Sequence, residues 1–131
     1  MIRSVVINRL PLQEPAWLTS AVKAVVAELA QLRARGVGDL DAELTKDAAL
    51  LPRLCALVRV TDANQLALRV SGTGSVAELS RRRMEMIAPK SLPGFREDLG
   101  ALWTGRRMLR LERTYVMPDG RQRSMLINWS A

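Results

Sequence analysis

The sequence of 131 residues contains no histidine. This absence excludes Ser-His-Asp and Cys-His catalysis, imidazole zinc ligands and nearly all haem ligation. Cysteine is also scarce: Cys55 stands alone in the apolar run Leu54–Val60, so no internal disulfide forms and a reducing compartment is favoured. An enzyme built from this chain would have to work with carboxylates, arginine, tyrosine or backbone groups.

Long apolar runs and aromatic residues are scarce as well. No run approaches the roughly 18 residues that a membrane helix needs, and the apolar stretch at the N-terminus is too short for a signal peptide. We therefore expect a cytoplasmic chain without a membrane partner. The aromatic residues are three Trp, one Tyr and one Phe, too few for a platform that stacks single-stranded nucleic acid.

The residues that are present indicate one compact domain. Apolar residues make up 48% and charged residues 25%, which is enough for a hydrophobic core. The net charge of +7 is uneven, because residues 1–65 carry eight Lys and Arg against seven Asp and Glu, whereas residues 66–131 carry twelve against six. Seventeen of these cations are Arg, a residue that binds phosphate and carboxylate through two parallel hydrogen bonds.

Residues 1–52 are expected to form a strand and amphipathic helices. Ile2–Arg9 is rich in β-branched residues and is closed by Leu10-Pro11, which is typical of a strand. From Pro15 to Arg35, apolar residues recur three and four apart and predict a helix that stops at Gly36. Its apolar seam packs either on its own domain or on the same helix of a second subunit. As a candidate dimer interface this seam comprises Leu18, Val22, Val25, Leu29 and Leu32.

A second short helix and a hairpin are expected next. Asp39 or Asp41 would cap this helix, and Pro52 would end it. From Leu54 the apolar pattern has a period of two, so residues 54–60 and 66–70 read as the two arms of a β-hairpin joined by a polar turn.

The remaining sequence carries helix and strand signals in turn. Ser75 would cap a short helix that ends in the basic run Arg81–Arg83, and Met84–Gly94, with its prolines, would be irregular. Phe95–Trp103 has the apolar spacing of a helix, and two long strands joined by Pro118–Gly120 follow it. The side chains expected on the core face of these strands are Leu109, Leu111, Tyr115, Met117, Met125, Ile127 and Trp129.

The order of these elements is specific. Val58–Asn64 reads as a strand and its turn, Leu68–Gly74 as a second strand running into a short helix, Phe95–Gly105 as a longer helix, and Pro118–Arg121 as a hairpin turn. Together these stretches resemble the PAS domain over residues 53–131. The resemblance implies an α+β fold, with an antiparallel β-sheet of about five strands and short helices on one face. In this chain the N-terminal amphipathic helix would precede that domain.

The PAS pattern has a further strand after the last hairpin, whereas this sequence stops at Ala131. Either the sequence is a fragment or another strand takes that place. An open sheet edge pairs readily with a further strand. We therefore expect Ile2–Arg9 to complete the sheet, from within the chain or from a second subunit.

The resemblance also implies a ligand cavity between the sheet and the short helices. The chain lacks the reactive cysteine motif of flavin-binding light sensors and the histidine of haem-binding members, so we expect no cofactor and either an unidentified small molecule or a protein partner. Arg69 and Arg110 would reach an acidic ligand or pair with Glu78 or Glu112, and the apolar candidates could equally be ordinary core. The candidate cavity residues are Val58, Arg69, Val70, Met84, Met86, Arg110, Leu111 and Met125.

Three functional hypotheses follow. The first is a non-catalytic regulatory sensor or dimerisation module of a bacterial-type signalling protein, acting as a homodimer with its output in another domain or protein. The second is an NTF2-like enzyme of the ketosteroid isomerase type, in which Asp98, Glu112 or Tyr115 would be the acid or base. The third is nucleic-acid binding through Arg81–Arg83 and Arg106-Arg107, whose affinity would fall steeply with salt.

Overall fold

The structure, a computed structural model, describes residues 15–87 and 91–131. The expected strand Ile2–Arg9 lies outside the described residues, so its place in the sheet stays a prediction. The elements of the described part are, in chain order, β1 (Trp17–Ala21), α1 (Lys23–Ala34), α2 (Leu40–Lys46), α3 (Leu50–Cys55), β2 (Arg59–Ala63), α4 (Gln65–Ser71), α5 (Val76–Met86), α6 (Leu92–Trp103), β3 (Met108–Val116) and β4 (Gln122–Ser130). The fold is therefore α+β, and none of these helices is long and apolar enough to cross a membrane.

The strands of the described part form one mixed sheet of four in the order β2-β1-β4-β3. β1 runs antiparallel to β2 and parallel to β4, while β3 and β4 form an antiparallel hairpin. The expectation of about five antiparallel strands is therefore wrong for these residues. A parallel neighbour becomes possible because the chain between β1 and β4 is long and passes through helices before it returns.

The helix expected over Pro15–Arg35 is divided into a strand and a helix. Trp17–Ala21 is β1, and α1 begins only at Lys23. Leu18 and Val22 have helical spacing, but Leu18 lies in β1, where half-buried and buried side chains alternate because successive residues of a strand point to opposite faces of the sheet. A strand lies on each side of β1. Pairing with two neighbouring strands overrides the local pattern here, and such pairing is not visible in a short stretch of sequence.

The seam proposed as a dimer interface lies in the core of the single chain. Leu18, Val22 and Val25 are 0% exposed, Leu29 is 4% exposed and Leu32 is 5% exposed. The chain itself encloses all five side chains, so in this conformation they offer no surface to a second subunit. Dimer formation stays a prediction, without these residues as its surface.

For the second short helix, the predicted N-terminal cap is confirmed, but the predicted end at Pro52 is wrong. Asp39 caps α2, because its Oδ1 accepts a hydrogen bond from the Ala42 amide at 3.1 Å. Pro52 does not terminate a helix but lies in the first turn of α3, where its missing N–H has no intrahelical partner to lose.

The hairpin predicted over residues 54–70 contains one strand. Only the end of the first arm is a strand, because Leu54 and Cys55 belong to α3 and β2 begins at Arg59 and runs through Asp62 and Ala63 of the expected turn. The second arm is the helix α4, capped by Asn64, whose Oδ1 accepts from the Ala67 amide at 3.0 Å. Ala67 and Ser71, one helical turn apart, are the buried residues of α4. A short alternating run fits a strand and a helical turn about equally well. Leu68–Gly74, one stretch of the PAS resemblance, is therefore mostly helical.

The second half follows its predictions more closely. Ser75 caps α5, which continues past the basic run to Met86. Helix α6 ends at Trp103, and Gly105 follows with a backbone φ of +107°, in the left-handed region that favours glycine. β3 and β4 form the expected hairpin, and their predicted core-face side chains are buried, except for the half-buried Leu111. One hydrophobic cluster runs from Ala16 to Trp129, so it contains residues on both sides of position 52, where the N-terminal region was expected to meet the PAS-like region.

Candidate functional site

A small cavity, partly open to solvent, lies between the core face of the sheet and helices α3, α5 and α6. Its volume is about 20 Å³, room for one water-sized molecule. Charged and polar groups interrupt its apolar wall, which is uncommon for a protein interior. The lining residues are Cys55, Arg83, Ile87, Ser91, Phe95, Asp98, Leu111, Arg113, Tyr115, Ile127 and Trp129.

Arg83 enters this cavity from α5 and is only 4% exposed. Its Nη1 donates to the Cys55 carbonyl oxygen at 2.7 Å, and its Nη2 lies 3.6 Å from the Cys55 Sγ. The Tyr115 hydroxyl is also within its hydrogen-bonding reach. The Cys55 carbonyl belongs to the C-terminal end of α3, whose partial negative charge offsets part of the guanidinium charge. No carboxylate forms an ion pair with Arg83 in the described part of the chain.

Arg113 reaches the cavity from β3 and pairs with Asp98 of α6. Its Nη2 lies 2.5 Å from the Asp98 Oδ1 and 3.2 Å from the Gly94 carbonyl oxygen. A Cβ at Gly94 would stand 3.0 Å from the Arg113 Nε, so a glycine there lets the guanidinium approach the helix backbone. The Nε itself is buried and has no hydrogen-bond acceptor in the described structure.

Burial raises the pKa of each acidic group in this cavity, the Cys55 thiol, the Tyr115 hydroxyl and the Asp98 carboxyl. The nearby Arg83 and Arg113 act in the opposite direction, but more weakly than burial does. Cys55 and Tyr115 are therefore neutral at pH 7, since their ordinary pKa values already lie above 7. The cavity thus holds two permanent cations and at most one carboxylate.

An excess of buried positive charge is costly without a counter-ion. Arg83 has no carboxylate partner, and the Arg113 Nε is a donor without an acceptor. Both are groups that a carboxylate or another small anion would satisfy, since a guanidinium is a planar fork of donors. The arrangement is therefore suited to holding one compact anion.

The residues predicted to bind a ligand are largely elsewhere. Leu111 lines the cavity, but Met86 and Met125 are fully packed core residues. Val58 and Met84 line a separate groove on the outside, beside β2 and α5. The methionines and Val58 therefore fill or border the helix layer instead of shaping the cavity.

The two arginines predicted to reach a ligand point away from the cavity. Arg69 and its neighbour Val70 lie on α4, where Arg69 is exposed. Arg110 is exposed on the opposite face of the sheet, where its Nε donates to the Asn128 Oδ1 at 3.2 Å. The hairpin expectation placed Arg69 on a strand, and the helix α4 removes that reason for assigning it to a site.

The sequence analysis did not predict Arg83 and Arg113 on the core side of their elements. Arg83 belongs to the basic run Arg81–Arg83 expected to contact nucleic acid, yet Leu79, Arg83 and Met86 share the buried face of α5 at helical spacing. Arg113 lies two residues from both Leu111 and Tyr115 on β3 and therefore shares their face of the sheet. A charged residue in step with the apolar positions was the available signal in both cases.

The three residues named for the enzyme hypothesis are separated by the sheet. Asp98 and Tyr115 line the cavity, whereas Glu112 is exposed and lies with Arg110 and Asn128 along a shallow depression on the other face. Asp98 is held by Arg113, so its carboxylate has a partner already.

Comparison with other proteins adds no family to these observations. No protein-family model, curated protein or solved structure matches the chain. The PAS resemblance therefore stays a prediction, and the function is argued from the residues of the cavity.

Proposed function

We propose that this chain is a non-catalytic regulatory module whose cavity between the sheet and helices α3, α5 and α6 binds one compact monoanion close to water in size, such as chloride. The observation that carries the proposal is the buried Arg83, which has no carboxylate partner in the described chain and shares its cavity with a second guanidinium. The role agrees with the small-molecule sensing that the PAS resemblance implies, but the site is a different set of residues.

The chemistry of the wall supports an anion in preference to a neutral molecule. Arg83 supplies a permanent charge, Arg113 a free Nε donor and Tyr115 a neutral hydroxyl that can also donate. Phe95 and Trp129 line the cavity and make an edge-to-face contact, their ring centroids 5.4 Å apart. Because Arg83 is only 4% exposed, the attraction between an anion and its guanidinium group is stronger than at a surface.

The same geometry supports a regulatory role. Arg83 belongs to α5 and Arg113 to β3, so an anion between them would tie the helix layer to the sheet. Binding would stabilise that contact, and its loss would free α5 to move relative to β3. The position of α5 is thus the signal that the module would pass to a partner.

Thermal unfolding in sodium formate, sodium chloride and sodium gluconate of equal ionic strength tests the proposal. We expect chloride, but not the bulky gluconate, to raise the melting temperature in a saturable way. An anion at roughly 100 times its dissociation constant adds about 2.7 kcal/mol, or about 10 °C for a domain of this size. Formate has three heavy atoms and exceeds the room for one water-sized molecule, so it should stabilise the protein less than chloride does.

Variants on one helix supply the controls. Arg83→Met should abolish the response to the anion, while Arg81→Met, an exposed position two residues earlier, should retain it. Arg83→Lys keeps the charge but loses the planar fork, so its response should weaken even if Arg83→Met does not fold. Equal stabilisation by gluconate, or an undiminished response in folded Arg83→Met or Arg83→Lys, would contradict the proposal.

A further inference from the structure

A second recess lies on the outside of the molecule, between strand β2 and helix α5. It is a groove of about 570 Å³, within the size range of sites that bind peptides and small molecules. β2 stands at the end of the described sheet, so the groove follows the sheet edge. The lining residues are Ala56, Val58, Arg59, Val60, Val76, Ala77, Ser80, Arg81, Arg83 and Met84.

The floor of this groove is apolar and one of its rims carries an exposed methionine. Val58 and Val60 are buried beneath it, and Val76 is half-buried beside them. Met84 is 42% exposed, one of few large apolar side chains in the described residues with so much surface in water. An apolar floor next to an exposed, adaptable thioether is a surface that gains from being covered by another apolar side chain.

The charge along the groove has one sign. Arg59 on the strand and Arg81 on the helix are exposed, and no Asp or Glu is among the lining residues. Neither arginine forms an ion pair within the described ranges. The acidic residues of α5 serve another cation, since Glu78 and Glu85 both pair with Arg82. Two arginines, one on each side, are therefore left for a partner.

The edge of β2 is occupied where it meets α5. The Val60 amide donates to the Ser80 Oγ at 2.9 Å, so the helix takes the place that a further strand would use there. A partner would consequently be held by its side chains and not by joining the sheet at this point. Recognition then depends on the apolar floor and the two flanking arginines.

From this charge complementarity we propose that the groove between β2 and α5 docks an acidic segment of a second protein, one in which an apolar side chain is flanked by carboxylates. The apolar side chain would cover Val60 and Met84, and the carboxylates would pair with Arg59 and Arg81. Arg83 lines both this groove and the cavity, but the inference rests on the exposed Arg59, Arg81 and Met84, which do not line the cavity.

Fluorescence polarisation with a labelled short peptide that alternates Glu and Val tests this surface. We expect saturable binding of this peptide, and none of a matched peptide with Lys in place of Glu. Arg59→Glu and Arg81→Glu should each weaken the affinity at least about tenfold, because each places like charges together. Arg123→Glu, an exposed position on β4 outside the groove, makes the same change in net charge and should leave the affinity unchanged.

Met84→Ala separates docking from nonspecific charge attraction. It leaves every charge in place and should still weaken binding several-fold, since the apolar contact is lost. Equal binding of the Glu and Lys peptides, or an effect of Arg123→Glu as large as that of Arg81→Glu, would overturn the proposal. So would a single-stranded oligonucleotide that binds more tightly than the acidic peptide and depends on the same arginines, because the groove would then be a phosphate-binding surface.

Discussion

Helix α5 separates two basic regions that differ in the surroundings of their charge. On the inner side, Arg83 is buried and donates to the Cys55 carbonyl. On the outer side, Arg81 is exposed on the wall of the groove. Arg82, between them, pairs with Glu78 and Glu85. Three successive arginines therefore have three different roles, and a charge run in a sequence does not define a single charged surface.

The comparison shows that burial decides what an arginine is available for. An exposed guanidinium is hydrated and screened, so it is inexpensive to place and weak until a partner covers it. A buried one must find its partners inside the protein or in a ligand. Arg113 forms an ion pair with Asp98, whereas the groups around the Arg83 guanidinium are a carbonyl, a thiol and a hydroxyl, all of them uncharged.

The largest effect should come from breaking the partly buried ion pair between Arg113 and Asp98. Arg113→Met leaves the Asp98 carboxyl buried without its cation, and we expect the free energy of unfolding to fall by about 3 kcal/mol or more. Urea denaturation measures this. Arg110→Met, on the exposed face of the same strand, is the matched control and should change stability by less than about 0.5 kcal/mol. Equal effects of the two variants would show that the interior pair is no different from a surface charge.

A smaller loss should follow from loosening the helix that carries both regions. The Ser75 Oγ accepts from the Glu78 amide at 3.1 Å, and the Glu78 Oε1 accepts from the Gly74 amide at 2.8 Å, which also lowers the pKa of Glu78. Ser75→Ala removes this cap and should cost about 1 kcal/mol. Ser75→Asp keeps an acceptor at the position and should restore most of the stability, so failure of both variants alike would argue against a capping role.

The pH dependence of stability should report the burial of Asp98. Burial raises its pKa in the folded protein, so the folded state holds this proton more tightly than the unfolded state. The resulting stabilisation is present below the ordinary pKa of Asp, about 3.9, and is lost as pH rises through the raised folded value. Urea unfolding from acid to neutral pH should therefore show the wild type losing stability relative to Asp98→Asn. A gain over the same range would mean that Arg113 outweighs burial.

The smallest effect is expected on the groove side. Arg81→Gln removes an exposed charge without an ion pair in the described chain and should change the free energy of unfolding by less than about 0.5 kcal/mol. The same urea titration measures it. A fall in the free energy of unfolding of more than about 1 kcal/mol would show that Arg81 supports the fold. The contrast between the exposed Arg81 and the buried Arg83 would then not hold.

Elements with long periodic patterns could be predicted from the sequence. The helix over Phe95–Trp103 and the hairpin around Pro118–Gly120 repeat their apolar period often enough to exclude the alternative structure. Caps were also predictable, since Asp39 and Ser75 act on amides three residues away. These signals are local and need no knowledge of the rest of the fold.

Two shorter elements differ from their prediction, one for a reason remote in the chain and one for a local reason. Trp17–Ala21 is a strand because it pairs with β2 and β4, and Gln65–Ser71 is a helix because Asn64 caps it and Gly72 ends it in the left-handed conformation. Of the residues predicted to line a cavity, Leu111 lines the one between the sheet and the helices, and the others lie elsewhere. The distinguishing groups of that cavity are the two arginines at core positions.

The parallel pairing of β1 with β4 has a consequence for how the chain acquires its structure. Ala21 lies opposite Ser130, so the middle of the sheet is complete only when segments from opposite parts of the described chain have met. Contacts between such distant residues slow folding, because a long loop must close before they form. We therefore expect the helices and the β3–β4 hairpin to form before β1 pairs with β4, so that the interior closes late.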